Sequence, residues 1–169
     1  MRTKQIVATV FLLLGLISAS AQNIEGTFAI KNVKTGKLLR IKDANSKDLT
    51  PLVLYSPVNW KCMTWDFQHV SGETYHLKNL FTSKTFTTAS QTAKEGVELK
   101  QLPINPDDTM QKWEFIDQGD NTYLIRLANT ELYVTPSDPK GSSNSPIILS
   151  KKSGSELQLW TIYEQHPTM

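Results

Sequence analysis

Gln111-Lys112-Trp113-Glu114-Phe115 and Gln158-Leu159-Trp160-Thr161-Ile162 share one pattern, and Met63-Thr64-Trp65-Asp66-Phe67 matches it from the tryptophan onward. Trp65, Trp113 and Trp160 are spaced by 48 and 47 residues. A fixed period of this length signals a repeat architecture. Upstream, Gly26-Thr27-Phe28-Ala29-Ile30-Lys31-Asn32 is echoed by Glu73-Thr74-Tyr75-His76-Leu77-Lys78-Asn79 and by Asn121-Thr122-Tyr123-Leu124-Ile125-Arg126. A turn and a short apolar pair follow: Thr35-Gly36-Lys37-Leu38-Leu39, Thr82-Ser83-Lys84-Thr85-Phe86 and Asn129-Thr130-Glu131-Leu132-Tyr133. After a polar loop comes another short apolar run: Leu52-Val53-Leu54, Val97-Glu98-Leu99 and Ile147-Ile148-Leu149. The repeats span about 24–71, 72–118 and 119–166.

Each unit reads as four short strands. Runs such as Thr74-Tyr75-His76-Leu77 are β-branched or aromatic, and clusters such as Ser137-Asp138-Pro139-Lys140-Gly141 punctuate them. No dozen-residue window carries a helical period. The expectation is an all-β chain of about twelve strands in three equivalent units. One unit cannot bury its own apolar face; three can close around a shared core.

Three repeats of just under fifty residues ending in Q-x-W resemble the ricin-B-type β-trefoil lectins, over almost the whole of the chain from about Ile24 to Tyr163. The resemblance implies a β-trefoil with pseudo-threefold symmetry, built on a six-stranded barrel and a triangular cap. It implies that Trp65, Trp113 and Trp160 are core residues and that Gln111 and Gln158 support the adjoining loop. A buried Trp supplies a large apolar area and needs one partner for its N–H.

The resemblance also implies a shallow sugar site in each repeat. An Asp after the first apolar pair, an aromatic after the third strand and a polar residue three before the tryptophan would form it. Counted along the repeats, the Asp position falls at Arg40, Thr87 and Val134. The aromatic position falls at Tyr55, Lys100 and Ser150, and the polar position at Cys62, Met110 and Leu157. Only Tyr55 keeps the type. The first repeat is therefore the candidate carbohydrate site, with Tyr55 or Trp60 to stack on the ring and Arg40, Asp43 or Asn59 to hydrogen-bond the hydroxyls.

The N-terminus reads as an address. Met1 to Lys4 is basic, residues 6–17 are mostly apolar, and Ala19-Ser20-Ala21 supplies an A-x-A end. This is the order of a secretory signal peptide over residues 1–21, leaving one domain over 22–169 with no membrane insertion once the signal is removed. The expected localisation is export: secreted, periplasmic or cell surface. Arg2 and Lys4 carry the formal net charge of +2; without them, 16 basic residues face 16 acidic ones. A neutral surface argues against phosphate-driven nucleic-acid binding. One cysteine among 169 residues excludes an internal disulfide framework and a multi-Cys zinc site. The expected state of Cys62 is burial.

No catalytic constellation stands out. His69, His76 and His166 are scattered, there is no H-E-x-x-H or G-x-S-x-G, and Asp107-Asp108 sits in a turn after Pro103-Ile104-Asn105-Pro106. The expected function is a non-catalytic carbohydrate-binding module with neither metal nor cofactor, its partner a glycan or polysaccharide. The alternative is a trefoil scaffold that binds a protein through loops 42–51, 102–111 and 137–146, as an inhibitor or adhesin component. The identity of the sugar and the oligomeric state stay open at this level.

Overall fold

The computed structural model describes residues 23–90 and 92–169; the expected signal peptide lies outside them. Twelve strands follow in three sets of four. The first set is β1 (Gly26–Asn32), β2 (Leu38–Ile41), β3 (Leu52–Tyr55) and β4 (Thr64–Ser71). The second is β5 (Thr74–Asn79), β6 (Thr85–Thr88), β7 (Leu99–Leu102) and β8 (Trp113–Asp117). The third is β9 (Thr122–Leu127), β10 (Leu132–Pro136), β11 (Ile147–Lys151) and β12 (Leu159–Glu164).

The first and fourth strands of each set close a six-stranded antiparallel barrel. β1 pairs with β12, β12 with β9, β9 with β8, β8 with β5, β5 with β4, and β4 returns to β1. Closure removes the open sheet edges that a half-buried strand would otherwise present. The remaining strands form three hairpins, β2–β3, β6–β7 and β10–β11. Single bridges join the hairpins to one another: Pro51 with Lys100, Val53 with Pro146, and Glu98 with Ile148. This arrangement is a β-trefoil.

The three tryptophans sit at equivalent points between barrel and hairpins. Each is fully buried. Each donates its indole N–H to the carbonyl of a hairpin strand: Trp65 to Leu39 at 3.3 Å, Trp113 to Phe86 at 3.2 Å, Trp160 to Val134 at 3.0 Å. The large ring fills the core between barrel and hairpin, and the hydrogen bond removes the cost of burying its polar atom. Gln111 and Gln158 are buried beside them. The Gln111 amide donates to Pro103 O and accepts from Asn105 N–H. The Gln158 amide donates to Lys151 O and accepts from Ser153 N–H. Asn32 and Asn79 perform a similar task at the end of β1 and β5. Each Nδ2 donates to the short 3₁₀ segment that precedes a tryptophan strand, while its Oδ1 accepts from the following turn.

These bonds set the register of the repeats, and they move two positions counted along the sequence. Thr35, Thr82 and Thr130 each accept from the backbone N–H two residues on. Val134, not Tyr133, accepts from the third tryptophan, as Leu39 accepts from the first. The residue equivalent to Arg40 in the third repeat is therefore Thr135 rather than Val134. In the second repeat, Leu102 opposes Thr85 as Tyr55 opposes Leu38, so Leu102 rather than Lys100 matches Tyr55. The cause is at Val97 and Glu98, expected within the hairpin strand. They turn away through Gly96 and pair across to β11: Leu149 N–H donates to Val97 O, and Glu98 bridges Ile148.

Loop 137–146 of the third repeat folds onto the first. Asn144 N–H donates to Leu54 O and Leu54 N–H to Ser145 O. Gly141, at φ 61°, lies where an added Cβ would overlap Thr35 Cγ2. Gly141→Ala is expected to lose about 2–4 kcal/mol, combining a left-handed backbone with overpacking. Gly154→Ala, with similar φ but open space around it, is expected to lose only about 1–2 kcal/mol. Urea titrations of the two variants check the difference.

His76 is buried on β5, and its Nδ1 lies 3.1 Å from Gln111 O. Burial holds its imidazole below the ordinary value, against the opposing pull of that carbonyl. The unfolded chain therefore takes up the proton first as pH falls. Stability is full above about pH 6.5, the ordinary imidazole value, and declines as pH drops through it toward the lower folded value. His76→Gln is expected to flatten this dependence in melts recorded between pH 7.5 and 5.

Candidate functional site

The first repeat brings Arg40, Asp43 and Tyr55 together. Arg40 leaves β2 with its guanidinium under the surface, 5% exposed. Its carbon Cζ lies 3.8 Å from the centre of the Tyr55 ring, across the hairpin. Such a cation–π contact is strongest when desolvated. Nη2 donates to Asp43 Oδ1 at 3.0 Å and to Asn144 Oδ1 at 3.0 Å. Nε is buried with no partner. Asp43 occupies a one-turn 3₁₀ segment, Lys42–Ala44, at φ 54°, and its side chain is 68% exposed. The guanidinium therefore covers a face of the half-buried Tyr55 ring. Asn144 holds the place that Leu49 and Gly96 hold in the other repeats, each at positive φ with its N–H on the neighbouring hairpin, but only Asn144 carries a polar side chain there.

Asn59 and Trp60 lie beside this group rather than in it, on the loop after β3. Asn59 is exposed. Trp60 is 36% exposed and lines a groove of about 340 Å³ with Ala44, Lys61, Cys62, Phe81 and Met169. Phe81, in the turn between β5 and β6, is 48% exposed. Two exposed aromatics thus line one groove at the junction of the first and second repeats. At the junction of the third and first repeats, the equivalent turn carries Lys34 instead, paired with Glu156 at 3.1 Å. Sequence reading missed Phe81: it lies 21 residues from Trp60 and only the fold brings them together. Cys62 is 4% exposed, and burial raises its thiol above the ordinary value although the Arg40 charge acts the other way. A protonated, buried thiol packs as a small apolar side chain.

The equivalent positions in the other repeats are occupied differently. In the third, Thr135 Oγ1 and Ser150 Oγ are 2.7 Å apart, and the Gln158 amide donates to both. In the second they are Thr87, which is buried, and Leu102. A cleft of about 770 Å³ opens at the far end of the barrel, beside Glu25, Tyr123, Tyr163 and Glu164. Among the described residues, no group of three His, Cys, Asp or Glu is placed to hold a metal ion. None of the described helices is long and apolar enough to cross a membrane.

Known proteins share this fold. A designed threefold-symmetric protein, ThreeFoil, superposes with a TM-score of 0.78 at 18% identity, over 83% of this chain and 99% of that one. A ricin B-like lectin from Macrolepiota procera, solved with lactose, gives 0.71 at 21% identity, over 86% and 99%. An exo-β-1,3-galactanase from Clostridium thermocellum gives 0.76 at 19% identity, over 80% of this chain but 29% of the enzyme. No curated protein sequence matches the chain. A family model does, at residues 16–102 and 61–160. The chain belongs to the ricin-type beta-trefoil lectin domain-like family.

Proposed function

We propose that this protein is an exported, non-catalytic carbohydrate-binding module, and that the groove between Trp60 and Phe81 is where it holds its glycan. The observation that carries the reading is the pair of exposed aromatics lining one groove at the junction of the first and second repeats. Flat apolar rings suit the C–H face of a sugar, and Lys61 at the groove supplies a donor for hydroxyls. The lactose bound to the fungal lectin supports a glycan as the ligand class. Tyr55 is the weaker stacking candidate, because Arg40 covers a face of its ring. The apolar segment at 6–17 and its A-x-A end support export.

One groove per chain binds a small sugar weakly, so useful retention requires either a polymeric glycan or several copies acting together. The test is a broad glycan array probed with the purified protein displayed multivalently, with a circular-dichroism melt to confirm folding. Binding confined to one group of related glycans is the expected result. A folded protein that binds no glycan would overturn the reading and direct the search to protein partners of the three long loops.

A further inference from the structure

We infer that Arg40 is the recognition point for the carboxylate of an acidic sugar, and that Asp43 occupies its place in the free protein. This rests on the carbohydrate-binding reading above and narrows it to carboxylate-bearing glycans. A fully charged guanidinium sits 5% exposed, where the chain's own charges offer it one carboxylate. That carboxylate is poorly matched. Asp43 reaches Nη2 alone, while Nε, on the same edge of the guanidinium, is buried and unpartnered. The Nε–Nη2 edge is a fork that fits both oxygens of a carboxylate, and a buried N–H left without a partner calls for one.

Asp43 cannot close the fork because it is tethered three residues along the same chain, in a turn where Asp43 and Ala44 both take positive φ. A carboxylate on a ligand has no such tether. The ion pair is also lopsided: the arginine is buried and the aspartate side chain is 68% exposed. Asp43 is therefore the solvent-side partner, the one a ligand carboxylate would displace. The Asn144 amide and the Tyr55 ring would keep the guanidinium in place throughout. Ala44, the residue after Asp43, lines the Trp60–Phe81 groove, so the two features adjoin. A sugar stacked in the groove could present its acid to the Asp43 side of the turn.

The experiment is calorimetric titration of the purified protein and its Asp43→Asn variant. The probes are trigalacturonic acid and sialyllactose, each as the free acid and as the methyl ester, with lactose as the neutral control. The ester keeps the shape and removes the charge. Asparagine tolerates the left-handed backbone at this position, so the variant is expected to fold. The expected result is that at least one acid binds about tenfold or more tighter than its ester, as a charged hydrogen-bonded pair implies. Asp43→Asn is expected to bind that acid tighter still, because the internal competitor is gone. Which acid is preferred separates uronate from sialate recognition. Equal binding of acid and ester, or binding of lactose alone, overturns the inference and leaves carbohydrate binding standing. Acid-selective binding that Asp43→Asn leaves unchanged or weakens overturns the role given to Asp43. No binding of any probe, together with a blank glycan array, overturns both.

Discussion

Trp113→Ala is expected to destabilise the protein by about 3–5 kcal/mol, the range for deleting a buried aromatic from a core. The ring is fully buried, lies 4.5 Å from Phe86 between centroids, and donates its N–H to the carbonyl of that residue. Removing it leaves a cavity in the core and an unmet carbonyl in a closed structure that has little freedom to collapse. Domains of this size are stable by about 5–15 kcal/mol, so the variant should unfold at markedly lower denaturant. Trp65 and Trp160 hold equivalent places and should behave alike. Trp60→Ala should cost less, about 1–2 kcal/mol, since Trp60 is 36% exposed and lies outside the core. Urea titrations followed by circular dichroism measure all four. A loss below 1 kcal/mol at Trp113 would mean that the tryptophans do not hold barrel to cap.

The same substitution that spares the fold should remove binding. Trp60→Ala and Phe81→Ala are each expected to weaken glycan affinity about tenfold or more, because truncating a central aromatic contact typically costs more than about 1.4 kcal/mol. Trp60→Phe should retain part of the affinity, since a flat apolar face remains. Tyr55→Phe should change little: its ring already faces Arg40, and no hydrogen bond from its hydroxyl is among the contacts that shape the site. Titration of each variant with the glycan that the array identifies decides the matter. Undiminished binding by Trp60→Ala would place the glycan elsewhere, with the cleft beside Tyr123 and Tyr163 the next surface to test.

The architecture was legible because it repeats. A tryptophan every 47 or 48 residues, with β-branched and aromatic runs at fixed offsets, leaves few ways to bury three equal apolar faces. The sequence pattern slipped where local resemblance competed with register. Leu132-Tyr133 matches the apolar pair Leu38-Leu39 by composition, but Thr130 holds the turn and sets the true alignment one residue later. Val97 looked like a hairpin strand residue and instead pairs with a neighbouring repeat. The candidate site was less legible, for a different reason. Arg40, Asp43 and Tyr55 fall within one repeat, so counting along it could bring them together. Phe81 and Asn144 come from the second and third repeats, and counting within one repeat does not bring them to Trp60 or Arg40. Contacts made by closure of the trefoil leave no mark in the spacing of residues.

The most direct measurement is a nuclear magnetic resonance titration that follows the four tryptophan indole N–H signals while glycan is added. Three of these protons are buried and bonded to hairpin carbonyls; Trp60 alone has its ring at the groove. Glycan binding at the groove should shift the Trp60 signal saturably and leave those of Trp65, Trp113 and Trp160 nearly still. A saturating glycan that leaves Trp60 unmoved, or no saturable shift with any glycan offered, would contradict it.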